Sequence, residues 1–238
     1  MIGLGAIINT AAIAAGGLLA RFVGPLLRAR HQEALTVACG VSTLFVGIAG
    51  AMEGMLRAEG GSLVSQNGMM AVVCLTLGAL IGEIINLEAG LERFGEWLKR
   101  KTGNAGDTGF VHAFVTASLT VCIGAMAIVG SIQDGLQGDY SVLAVKSILD
   151  FIIILVMTCS LGRGAAFSAV PVLLLEGGMT LLSRLIQPVM TDAALSNLSM
   201  IGSVLIFCVG LNLIWGKKVR VANLLPAIVL AVIAAFIL

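Results

Sequence analysis

Apolar runs of about twenty residues, separated by short polar or glycine-rich breaks, recur along almost the whole chain. Run length decides the architecture. A bilayer's hydrocarbon layer is roughly 30 Å thick, which an α-helix crosses in about 20 residues, whereas a membrane barrel would alternate in segments of about ten. The pattern predicts helical spans near residues 2–21, 35–56, 68–87, 110–133, 141–161, 165–186, 195–215 and 222–238. The breaks are chemical: Arg28 to Glu33 is charged, Lys99 to Asp107 is basic and then glycine-rich, and Leu161-Gly-Arg-Gly164 leaves room only for a tight reversal. The expected fold is all-α, a polytopic transmembrane bundle of about eight spans forming one domain over residues 1–238.

Composition agrees. The 238 residues are 58% hydrophobic and 11% charged, where soluble domains run near half apolar and a quarter charged. A net charge of +1 gives no reason to expect a nucleic-acid partner; the expected surroundings are lipid. Cys39, Cys74, Cys122, Cys159 and Cys208 lie in apolar runs without C-x-x-C spacing and read as small buried hydrophobes. No cation precedes the first apolar run, and Arg21, Arg28 and Arg30 follow it, so that run reads as a retained span. Eleven of the fourteen lysines and arginines fall in the odd-numbered connections, which places those connections in the cytoplasm and both termini outside it. Residues 87–101 put Leu87, Leu91, Phe94 and Leu98 on one helical face. They read as an interfacial helix or a continuation of the third span.

Small residues form ordered stripes. Span two carries Thr36, Gly40, Thr43, Gly47, Gly50 and Gly54 along one face, and span four carries Ala117, Thr120, Gly124, Ala127, Ser131 and Asp134. Span three adds Gly78-x-x-x-Gly82. Lipid gives helices no hydrophobic reason to associate, so close backbone packing at small residues must supply it. Spans two and four are therefore expected to be central, and the Leu/Ile/Val-rich last span to face lipid. The seams are also compatible with a homodimer. Similar segments end spans two and four; separately, glycine pairs in spans one and six, which should run in opposite directions, suggest an inverted repeat.

Ionisable groups inside hydrocarbon are costly and need a reason. Asp150, Glu176 and Asn9 fall near the middle of their spans, and Lys146 is one turn from Asp150, where the two can pair on one face. That pair can be a purely structural neutral unit or part of a pathway. Glu176 has no cation on its own span. Glu83 lies in the inner third of span three, and Glu53 and Asp134 end the two glycine-lined spans, where they would form an anionic outer mouth or simply mark the interface. Asn197, Asn212 and Asn223 read as helix-to-helix hydrogen bonds and caps. His31 and His112 are far apart, and no metal spacing, nucleophile motif or phosphate loop is present, so neither an enzyme nor a cofactor is expected.

Ile8-Asn9 with Gly16-Gly17, Leu77 through Glu83, Gly130 through Asp139, Lys146-Ser-x-x-Asp150 with Cys159-Ser-Leu-Gly162, and Asn223-x-x-Pro226 resemble the YqgA/YdfK-type family of bacterial inner-membrane proteins. The resemblance covers nearly the whole chain. It implies a single-domain, multi-pass protein of the bacterial plasma membrane and supplies no substrate; Glu53 and Glu176 fall outside its pattern. The residues themselves point to a transporter or channel for a small solute or ion, with Asn9, Glu83, Lys146, Asp150 and Glu176 along its pathway. The alternative is a non-transporting scaffold or sensor that acts through a partner protein.

Overall fold

The computed structural model describes residues 2–237, so Met1 and Leu238, the latter the end of the last predicted stretch, lie outside the described residues. The chain is helical almost throughout. Helix α1 is Leu4–Val23, α2 Ala29–Met55, α3 Gly68–Ile85, α4 Leu87–Lys101, α5 Phe110–Cys122 and α6 Ala125–Gln137. After these come α7 Ser141–Leu161, α8 Ala169–Leu181, the short α9 Ser183–Ile186, α10 Asp192–Trp215 and α11 Pro226–Ala234. A 3-10 turn, Arg163–Ser168, leads into α8, and another, Val221–Leu224, leads into α11.

Among the described residues six helices are long and apolar enough to cross a membrane, and seven spans result if the bent pair α5 and α6 counts as one. Every predicted stretch has a helix, with two departures. The fourth is broken, α5 and α6 meeting at 62°, and the eighth is a shorter apolar helix over Val221–Ala234. The polar loop expected after span two folds into a two-stranded hairpin, β1 Leu56–Glu59 against β2 Ser62–Ser65. Gly60 and Gly61, both at positive φ (57° and 82°), form its two-residue turn, a backbone that residues with a Cβ rarely adopt.

Contacts group the chain into two compact units. The first comprises residues 1–39, 89–122 and 126–186. Its centre is α1 packed along α7, with α8 also against α1. A methyl group at Gly16 would stand 2.6 Å from the Phe151 carbonyl oxygen, so the two backbones touch there. Ile13, Phe110, Phe114, Leu143, Ile154, Met157 and Val172 are fully buried around this seam. The 3-10 turn before α8 lies on the start of α5, where Gly164 rests on the Phe110 backbone and the Phe110 and Phe167 rings stand 5.1 Å apart. Helix α4 is separated from α3 by Asn86 in the left-handed conformation, and Phe94 of α4 meets Phe114 edge-on at 5.9 Å.

The second unit comprises residues 40–88, 123–125 and 187–238. Its main seam is built from the predicted glycines. Gly40 faces Ile214, Gly47 faces Phe207, Gly50 faces Ser203 and Gly54 faces Met200, so α2 runs antiparallel to α10 with its backbone pressed on it. Gly210 returns the contact against Leu44. Gly78 and Gly82 of α3 sit in the same way on Ala227 and Asn223.

Two packing expectations are corrected. Helix α2 is not central: at 17% its apolar window is the least buried of the candidate spans. A stripe of small residues needs one neighbour, and the rest of α2, including Phe45, Val46 and Met52, stays exposed. The last helix is held instead between α3 and α10, because Ala227 and Ala231, four residues apart, are fully buried and form a small-residue face of their own.

Candidate functional site

On α7, Leu143, Lys146, Ser147, Asp150, Ile154 and Met157 fall on one buried face with helical spacing. That face meets α1 at Asn9 and α8 at Glu176. The four polar residues come together out of contact with solvent: Asn9 is 0% exposed, Glu176 1%, Asp150 4% and Lys146 6%. The Asn9 side-chain amide donates to Asp150 at 3.0 Å and to Glu176 at 2.8 Å, bridging the carboxylates. Lys146 donates to Asp150 one turn along the same helix, and its ammonium lies 3.6 Å from Glu176.

The third partner of Lys146 is a backbone group. Its ammonium donates to the Val121 carbonyl at 2.9 Å. That carbonyl is free because α5 stops at Cys122; the last carbonyls of a helix have no intrahelical partner. The stop itself comes from Gly124, whose φ of 153° lies where a side chain is rarely tolerated. Gly124 was expected in a packing seam, and this is corrected: a Cβ there would meet nothing within 4 Å, so the glycine serves the bend.

Charge balance in the cluster is uneven, with one ammonium facing two carboxyls. Asp150 receives both Lys146 and Asn9 on one oxygen. Glu176 shares Asn9 through Oε1, while its Oε2, the Asn9 Oδ1 and the Thr180 hydroxyl one turn further along α8 are buried without a hydrogen-bond partner among the described residues. Buried polar atoms are nearly always paired with protein or with ordered water, so Asn9, Glu176 and Thr180 each keep capacity for a further partner.

The other expected site residues lie elsewhere. Glu83 is in the second unit, half exposed, and pairs with Arg220 at 3.0 Å. Glu53, also in the second unit, is exposed near the end of α2. Asp134, in the first unit, is fully buried rather than displayed at a mouth, and accepts the backbone N–H groups of Gly3 and Gly5, capping α1.

The profile of the family described as "Protein of unknown function (DUF554)" matches residues 4–236. The chain belongs to this family. It is similar to "Uncharacterized protein YqgA" of Escherichia coli (strain K12), 28% identical over 232 residues that cover 96% of this chain and 94% of YqgA. It is likewise similar to "Uncharacterized membrane protein YdfK" of Bacillus subtilis (strain 168), 26% identical over 234 residues, 98% of this chain and 96% of YdfK. No solved structure matches. Membrane-length helices and these bacterial relatives together make this DUF554 chain a multi-pass membrane protein of a family with bacterial members.

This DUF554 chain also holds a polar group that its sequence pattern conceals. Glu88, placed by periodicity on an interfacial helix, is buried in the second unit and pairs with Lys217 at 2.9 Å. Its carboxylate accepts the Ala222 N–H, and its own N–H donates to Asn223. Asn197 and Asn212 make the cross-segment bonds expected of them, to the Ala231 and Val219 carbonyls. Nothing in a linear pattern reveals Glu88, whose partners lie about 130 residues away.

Proposed function

We propose that this protein moves a small solute or ion across the membrane, with Asn9, Lys146, Asp150 and Glu176 as its switchable site. The observation that carries this reading is a broken span whose freed carbonyl is held by the ammonium of a buried ionisable cluster. Discontinuous helices with polar groups at the break are the way many carriers build a site inside the bilayer. A purely structural ion pair would need only Lys146 and Asp150.

The chemistry follows from the charges. With both carboxyls ionised the cluster carries one net negative charge, which is costly in hydrocarbon. A proton or a monovalent cation at Glu176, the carboxyl with an unpaired oxygen, neutralises it. When that charge leaves, Glu176 draws Lys146 across the 3.6 Å between them, away from Val121, and the α5–α6 bend loses its anchor. The role proposed is transport without catalysis, in the bacterial inner membrane, with both termini on the outer side, an orientation that the lysine and arginine distribution supports when all eight predicted stretches cross.

Flux in proteoliposomes tests this, with a panel of protons, alkali cations, inorganic anions, amino acids and organic acids. Wild-type flux for one of these, abolished by Asp150→Asn and by Glu176→Gln in protein that remains monodisperse, is the expected result. Flux indifferent to both substitutions refutes the assigned site. No flux for the whole panel, together with no exchange of solvent at the cluster, moves the function to the scaffold or sensor class.

A further inference from the structure

The first unit contains a cleft of about 810 Å³ between the ends of α1 and α7 and the start of α8. It extends along α1 as far as Ala14, about 7–8 Å from Asn9 at a rise of about 1.5 Å per residue. Two arginines line it, Arg21 and Arg163, both exposed, and among the described residues no acidic side chain does. Neither arginine is in an ion pair among the described residues. The other polar groups include the Thr158 hydroxyl, while the Gln32 amide is donated to the Gly24 and Leu27 carbonyls and the Asn104 amide to Thr102. Thr158 is 8% exposed, and its hydroxyl has no hydrogen-bond partner among the described residues. The remaining wall is apolar and includes Leu18 and Phe167.

Two guanidinium groups outside any ion pair among the described residues, an unpartnered buried hydroxyl and an apolar wall suit one kind of guest. We infer that this cleft binds a small organic anion, one bearing a carboxylate or phosphate group. This deepens the transport reading, on which it rests, by naming the solute class. Guanidinium matches carboxylate and phosphate in planar, charge-assisted pairs, and the volume lies in the range of small-molecule sites rather than of single-ion sites. The anion would sit at the arginine end while Glu176 supplies the accompanying proton, so that a solute and a counter-charge move together.

Titration calorimetry on the full chain in phosphatidylcholine nanodiscs tests it, with succinate, citrate and inorganic phosphate as probes at constant ionic strength in sodium chloride. Saturable binding of at least one probe is expected, weakened about tenfold or more by Arg21→Gln and by Arg163→Gln. Thr158→Val should weaken it less, Arg21→Lys should retain part of it, and Arg93→Gln, outside the cleft, should leave it unchanged. No binding of any probe overturns the inference, as does binding indifferent to both arginine substitutions. The same anion chemistry exists in a lipid headgroup. If phosphatidylglycerol is retained in native mass spectra through Arg21 and Arg163 while no soluble probe binds, the arginines serve lipid and the solute assignment falls. Probe binding without flux would sink the transport reading alone; proton or cation flux that needs Asp150, without probe binding, would sink the anion alone.

Discussion

Replacing Lys146 by methionine keeps the length and removes the charge from a group that holds three partners: Asp150, Glu176 and the Val121 carbonyl. Asp150 and Glu176 would then face each other's charge with only the Asn9 amide between them. Breaking a buried pair from one side costs about 3–5 kcal/mol. An independent bound gives the same figure. Asp150 can stay buried by taking up a proton, and protonating an ordinary solvated aspartate at pH 7 costs about 4 kcal/mol, about 1.4 kcal/mol for each pH unit above its normal value. For a chain of this length about 4 kcal/mol corresponds to a fall in Tm of roughly 10 °C. The proton route also fixes a sign. The variant's folded state would bind a proton that its unfolded state releases at neutral pH, so the penalty shrinks as pH falls, to about 1.5 kcal/mol at pH 5. Thermal unfolding in detergent across pH 5–8 measures this, and the double variant Lys146→Met with Asp150→Leu should recover most of the loss. A fall below about 3 °C at pH 7, or one that does not shrink on acidification, would refute the account of the cluster.

Two further outcomes are expected. Gly82→Ala drives a methyl group into the Asn223 carbonyl, where backbone must move, and should cost about 1–3 kcal/mol, while Gly90→Ala, with open space around it, should be neutral or slightly stabilising; thermal unfolding of the two variants side by side decides this. Asp139 accepts the Ser141 backbone N–H at 2.9 Å ahead of α7, and that bond holds its carboxyl below the usual range. Its contribution is therefore complete above the ordinary aspartate value of about 3.9 and is lost as pH falls through the lower folded value. Protection against hydrogen exchange in the first turn of α7, taken relative to the intrinsic rate at each pH, should fall below about pH 4, and in Asp139→Ala it should be low at neutral pH as well.

Length and apolarity made the spans legible, because a membrane helix is specified by its own residues. The glycine stripes of α2 and α3 predicted tight seams for the same reason: a face made of Gly40, Gly47, Gly50 and Gly54 has little use except close approach. Which neighbour fills a seam depends on the partner's surface, so the peripheral position of α2 and the enclosed one of α11 were not readable. The break at Gly124 was hidden because a glycine at helical spacing reads as packing until its φ is known. Four of the five pathway residues assemble, since an ionisable group inside an apolar run has few ways to be accommodated. Glu83 does not join them: near the end of its span, it had a partner in Arg220, and nothing in the run around it indicated so distant a cation. The Val121 carbonyl escaped notice because a backbone group carries no sequence signature.

The hold of Lys146 on Val121 ties a charge to a bend, and a charge inside a bilayer also lies in an electric field. Moving one elementary charge across the whole membrane is worth about 2.3 kcal/mol per 100 mV. A shift by one helical pitch, about 5.4 Å of roughly 30 Å, would therefore couple to 100 mV by only about 0.4 kcal/mol. A bend anchored in this way would answer to what occupies the cluster and hardly at all to voltage, so a cell could depolarise without changing its conformation.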